Sequence, residues 1–144
     1  MIPIEVRPVT PADAEDVARL LTQLGYPADP ADVPARLSRL AGGGAAALVA
    51  ERAGVVVGLA TVHVLPVLNR PRDVAWLTAL VVEAEARGGG VGRALVEAVE
   101  AHARAAGCER LSVTTYEDRA GAQAFYERVG LAPTGRRFGK QLVP

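Results

Sequence analysis

Arg87-Gly88-Gly89-Gly90-Val91-Gly92-Arg93 is the stretch on which the reading of this chain turns. It follows an apolar, partly β-branched run, Trp76-Leu77-Thr78-Ala79-Leu80-Val81-Val82, and leads into an amphipathic segment from Val91 to Ala106. Strand, glycine-rich turn and helix in that order leave several backbone N–H groups at a helix N-terminus without partners and aimed outward. Such a place binds phosphate. Four glycines in the five positions from Gly88 to Gly92 exceed what turn geometry alone requires.

Two phosphate motifs fail on spacing. The dinucleotide pattern G-x-G-x-x-G reaches Arg93 from Gly88 and Leu95 from Gly90, so its last glycine is missing. A helix preceded by two strands in a hairpin is also not a dinucleotide-binding opening. Gly135-Arg136-Arg137-Phe138-Gly139-Lys140 has one residue too few between its glycines for a triphosphate loop, and Gln141 stands where Ser or Thr would meet magnesium.

Working outward, Ile2 to Val9 alternates apolar and polar residues and reads as a strand. Thr10-Pro11-Ala12-Asp13 combines a cap residue, proline at the first helical position and an acid at the third, a helix start. Val17, Leu20, Leu21 and Leu24 form its buried stripe, and Gly25 stops it. A shorter helix is expected from about Asp32 to Ala41. Ala45 to Arg52 and Val55 to Leu65 read as strands joined at Ala53-Gly54, a hairpin signal. Pro66 to Arg72 is a loop, and Val74 to Val82 is a strand too continuously apolar to lie at an exposed edge. After the glycine stretch come a helix ending at Gly107, a strand from Leu111 to Thr115, and a helix from Arg119 to Val129 ended by Gly130. The tail to Val143 has room for one or two more strands. The order β-α-α-β-β-β-α-β-α-β is that of a mixed α/β domain.

A chain of 144 residues, half of them hydrophobic and 22% charged, suits one packed domain, 1–144. Lys+Arg and Asp+Glu balance at 16 each, which argues against a nucleic-acid partner. No apolar run is long enough to span a membrane, and no signal peptide is visible. Cys108 is the single cysteine, which rules out an internal disulfide and suits a reducing cytoplasm. Two histidines and one cysteine so dispersed form no metal-ligand cluster.

A third pattern, [Arg/Gln]-x-x-Gly-x-[Gly/Ala], is satisfied by Arg87-x-x-Gly90-x-Gly92. Here the chain resembles the GNAT superfamily of acyl-CoA-dependent N-acetyltransferases. Downstream, Ala122-x-x-Phe125-Tyr126-Glu127-Arg128-x-Gly130-Leu131 is similar to the family's second motif, and the likeness covers essentially the whole chain. It implies a central mixed, mostly antiparallel sheet of about six to seven strands flanked by four helices. It implies acetyl-CoA as cosubstrate and no metal. The pyrophosphate would meet Gly88, Gly89, Gly90, Val91 and Gly92, with Arg87 and Arg93 adding charge-assisted bonds. The backbone of Leu80, Val81 and Val82 would pair with the pantetheine arm, one N–H polarising the thioester carbonyl. Tyr126 matches the tyrosine that protonates the departing thiolate; the ordinary phenol pKa of about 10 suits that leaving group. Read from periodicity instead, Tyr126 is a core residue beside Phe125.

The base departs from the family pattern. Many relatives carry Glu on the strand before the loop, where this chain has Thr78, which cannot hold a proton near neutral pH. His63, at the end of the neighbouring strand, is one candidate, histidine being the side chain suited to proton exchange near neutral pH. Glu83 and Glu117, just past strand ends, are the other candidates. Trp76 is either a core anchor or part of the acceptor pocket. His102 and Cys108 read as structural. Arg70 and Arg72 lie in a loop that is either solvated or meets an anionic part of the acceptor. The expected acceptor is a small-molecule amine, including aminoglycoside-like molecules, attacking directly in a ternary complex, and the resemblance suggests a homodimer. The alternatives are a protein N-terminus or lysine as acceptor, and a non-catalytic acyl-CoA-binding sensor or assembly module.

Overall fold

The computed structural model describes residues 2–115 and 120–144. They fall into two compact units, 1–113 and 114–144. The first holds strands β1 (Ile4–Pro8), β2 (Ala46–Arg52), β3 (Val55–Leu65), β4 (Val74–Val82) and β5 (Arg110–Val113) with helices α1 (Ala14–Leu24), α2 (Val33–Leu40) and α3 (Val91–Ala105). The second holds α4 (Ala120–Arg128). The strands lie in the order β1-β2-β3-β4-β5, antiparallel except for the parallel β4–β5 pair. This is a mixed, mostly antiparallel sheet with four helices.

Local chemistry explains the elements. Asp13 accepts from the Thr10 N–H at 2.8 Å, closing a capping box over a short 3-10 turn from which α1 continues, and Gly25 ends α1 at φ 108°. Ala53 and Gly54 both take positive φ, 53° and 78°, so β2 and β3 are joined by the two-residue turn their pairing demands. Val17, Leu20 and Val33 from α1 and α2 pack with Val49, Leu59 and Val81 of the sheet. On α3, Val91, Leu95, Val96 and Val99 are buried, and the helix approaches β3 over Gly58.

The strand count needs correction. Five strands stand where six to seven were expected, and among the described residues no strand follows α4. Every residue from 132 to 144 is exposed, Phe138, Leu142 and Val143 among them, so the tail buries no apolar face of the kind that holds a strand in a sheet. The expected start of α4 at Arg119 lies outside the described residues.

Candidate functional site

β4 is partnered along its full length on one side only. Its ladder with β3 runs from Val74 opposite Leu65 to Val82 opposite Gly58, whereas its ladder with β5 stops at Leu77 opposite Val113. Beyond Leu77 the second edge of β4 has no strand partner among the described residues. One hydrogen bond shows which groups lie there. The Glu83 N–H donates to the Val57 carbonyl at 2.8 Å, so alternation turns the peptide groups of Val81 toward β3 and those of Leu80 and Val82 away from it. Arg87 Nε donates to the Val82 carbonyl at 3.2 Å. The expected trio is thereby sorted: Leu80 and Val82 present backbone groups to the open edge, and Val81 is a core residue, 5% exposed.

From the end of β4 the chain passes through a 3-10 turn, Ala84–Ala86, into the glycines. Gly88 and Gly90 take φ of 83° and 86°, conformations that favour glycine. Gly90 caps α3 without a side-chain bond, and the first helical bond is Ala94 N–H to the Gly90 carbonyl at 3.0 Å. The N–H groups of Val91, Gly92 and Arg93 therefore precede any in-helix acceptor. Arg87 and Arg93 are exposed beside them. Gly89 differs: a Cβ there would lie 2.6 Å from Arg52 Nη1. The Arg52 guanidinium, from the end of β2, rests against the loop, a cation that no motif spacing indicates.

Glu83 is not poised as a base. Gln23 Nε2 donates to it at 3.0 Å and Arg19 Nε at 3.4 Å, and these bonds, Gln23 first, hold its carboxyl below the usual range. Both bonds fall on Oε2 and tie the carboxylate to α1. Glu117 lies outside the described residues.

His63 and Thr78 share one face of the sheet. The β3–β4 register shifts between Thr61 and Val62: Thr61 faces Ala79, Val62 faces Leu77, and Thr78 is the extra residue of a β-bulge. The bulge re-phases β4, so Leu77 turns into the core at 2% exposed while Trp76 and Thr78 turn out. Thr78 Oγ1 meets Thr61 Oγ1 at 2.7 Å, and His63 stands directly opposite Trp76. Thr61 was missed from sequence because nothing in the residue pattern marks the bulge. Trp76 is 38% exposed, which removes the core-anchor reading.

His102 and Cys108 have structural surroundings. His102 Nε2 bonds the Gly44 carbonyl at 2.7 Å, tying α3 to the loop after α2. Burial pushes the Cys108 thiol pKa up, away from nucleophile chemistry. Glu109 engages Arg70 at 3.5 Å and the Arg72 N–H at 2.9 Å, so that loop is clamped rather than free. In the second unit, Tyr126 lies on α4 with its ring edge-on to Phe125, centroids 5.5 Å apart. No group of three or more His, Cys, Asp or Glu among the described residues is arranged to hold a metal ion. Among the described residues no helix is long and apolar enough to cross a membrane.

The geometry agrees with the comparisons. The model of the Acetyltransferase (GNAT) family matches residues 14–131. The aminoglycoside N(6')-acetyltransferase type 1 of Stenotrophomonas maltophilia is 33% identical over 134 residues, 91% of this chain and 88% of that one. The IAA acetyltransferase of Azospirillum brasilense is 35% identical over 88 residues, 61% of this chain, and the matched part spans 55% of that relative. An aminoglycoside N-acetyltransferase solved in complex with CoA superposes with a TM-score of 0.86 at 20% identity, covering 98% of this chain and 95% of that one. With a family model spanning most of its length, the chain belongs to the GNAT family of acetyltransferases.

Proposed function

We propose that the chain acts as one domain, an acetyl-CoA-dependent N-acetyltransferase that moves acetyl to a primary amine of a small molecule. The observation that carries this is the open edge of β4 leading into the glycine loop. An extended pantetheine adds to that edge through the Leu80 and Val82 peptide groups, and its pyrophosphate falls at the uncapped start of α3. Arg87 and Arg93 supply charge for the phosphates. The two relatives that bear acetyltransferase names, one of them an aminoglycoside N-acetyltransferase, support a small-molecule acceptor.

In this reading the amine nitrogen attacks the thioester carbonyl directly. The N–C bond forms, the oxyanion is held by the Leu80 N–H, and the C–S bond then breaks. Tyr126 gives its proton to the thiolate, and the proton released by the nitrogen passes to His63, directly or through a water. Cytoplasmic location and a homodimer belong to the same proposal.

The test is release of free thiol from acetyl-CoA across a panel of amines, with Tyr126→Phe beside the wild type. The expected result is turnover that falls about 100-fold in the variant with CoA affinity unchanged. Full turnover in the variant removes Tyr126 from the acid role. Tight CoA binding with no turnover of any amine favours a sensor or assembly module, and transfer only to peptides favours a protein N-terminus or lysine.

A further inference from the structure

The acceptor's chemical class is written on the outward face of β3, β4 and β5. Leu59 and Val81, on this face, are covered by α1 and α2. Two residues along β3 the same face continues as Thr61 and then His63, and the bulge brings Thr78 and Trp76 alongside them. Ser112 is the register partner of Trp76 on β5, and Arg110 Nε reaches Ser112 Oγ at 3.4 Å. At Trp76 the strand has neighbours on both sides, yet the indole is 38% exposed and makes no hydrogen bond or ring contact among the described residues. A tryptophan open to solvent in mid-sheet is a platform for a planar apolar group.

Charge narrows the occupant. β3, β4 and β5 contain no Asp or Glu. Three acids flank β4 and β5: Glu83 is bonded by Gln23 and Arg19, Glu109 by Arg70 and the Arg72 N–H, and Asp73 precedes β4 three residues from Trp76, an odd spacing that strand alternation assigns to the opposite face. Arg110 adds a positive charge to the face. A polycationic amine brought here would lose hydration and meet no counter-charge from the sheet. One amine is accommodated because Thr78 presents an acceptor oxygen two residues along the strand from Trp76, on the same face, so a nitrogen a short carbon chain away from a ring on the indole can reach it.

Resting on the acetyltransferase reading above, we propose that the acceptor is a monoamine with a planar apolar body, its ring on Trp76 and its nitrogen at Thr78. Polycationic amines are poor acceptors.

Trp76 is the only tryptophan, so its fluorescence reports on this face without requiring turnover. With CoA present, 2-phenylethylamine should change that fluorescence saturably, and kanamycin should not. In acetyl transfer, kcat/KM for 2-phenylethylamine should exceed that for kanamycin at least tenfold. Trp76→Ala should raise KM for 2-phenylethylamine about tenfold with CoA affinity unchanged, and Trp76→Phe should restore most of the loss. A larger kcat/KM for kanamycin, no saturable fluorescence change, or an unchanged KM in Trp76→Ala overturns the proposal. Saturable binding of 2-phenylethylamine without transfer to any amine upholds the platform and overturns the acetyltransferase reading instead.

Discussion

Thr78 Oγ1 lies 2.7 Å from Thr61 Oγ1 and 3.3 Å from the Thr61 carbonyl oxygen, at the bulge between β3 and β4. Thr78 can give its proton to the Thr61 carbonyl and exchange a hydrogen bond with the Thr61 hydroxyl, in which either oxygen donates, and at least one lone pair of Thr78 Oγ1 is left to accept. Where the family resemblance implies a carboxylate able to take a proton, this chain holds a hydroxyl that exchanges hydrogen bonds but takes up no proton near neutral pH. Under the proposed function it positions the amine without deprotonating it. Thr78→Val should therefore lower kcat/KM for the amine about tenfold, the loss of one hydrogen bond of about 1.4 kcal/mol, and Thr78→Ser should retain most activity. Steady-state kinetics alongside a CoA-binding titration check this; equal loss of CoA affinity would mean the strand edge itself had moved.

Gly58 sets how closely α3 lies on the sheet. A Cβ there would sit 2.9 Å from Leu95 Cδ1, 3.0 Å from Val91 Cγ1 and 3.3 Å from the Val81 carbonyl oxygen. Leu95 and Val91 are 0% and 1% exposed, and the carbonyl belongs to the backbone, so none of the three can withdraw freely. Gly58→Ala should destabilise by about 1–3 kcal/mol through overpacking. Because Val91 is the first residue of α3, it should also weaken CoA binding by displacing the glycine loop. Denaturant unfolding and CoA titration of the variant measure both.

Much of the first unit was legible from local chemistry. The limits of β3 and β4, the Ala53-Gly54 turn and the glycine stop of α1 follow from residue type, since each depends on neighbours in the chain. The glycine loop before α3 was legible for the same reason. The outward face of β3 and β4 was not. Whether Trp76 points in or out depends on a single extra residue in β4, and the pattern Trp76-Leu77-Thr78-Ala79 reads alike with or without a bulge. The separation of Leu80 and Val82 from Val81 depends on which edge of β4 the short β5 leaves uncovered, a matter of register between distant segments. The tail was misread because room for a strand is not a partner for one. Glu83 looked available because its partners, Arg19 and Gln23, lie 64 and 60 residues earlier.

Ala53 takes φ 53°, the only non-glycine residue with positive φ among those described. Its Cβ makes that conformation unfavourable by roughly 1 kcal/mol, and asparagine tolerates it better. Ala53→Asn should raise stability by about 0.5–1 kcal/mol, read as an upward shift of the thermal midpoint with no change in CoA binding. A lower midpoint would mean that the turn relaxes in solution to a form alanine prefers.

Arg7 joins the first helical turn to the sheet: its Nη1 and Nη2 each donate to Asp13 at 2.8 Å, and Nη2 also donates to Glu51 at 2.8 Å. The Asp13 side chain is 7% exposed, and the bond from Arg7, aided by the Thr10 N–H, holds its carboxyl at about 2 against an ordinary 3.8. A carboxyl depressed in the folded state stabilises the fold above its unfolded value and loses that contribution as the pH falls through the folded one. The window here runs from about pH 4 down to about pH 2. Asp13→Asn should cost about 2 kcal/mol at pH 7, and the difference from the wild type should shrink across that window until the two unfold alike near its lower end. Urea unfolding of both proteins at pH 7, 4 and 3 decides it. A gap that stays constant over that range would show that Asp13 acts through its cap geometry alone and not through its charge.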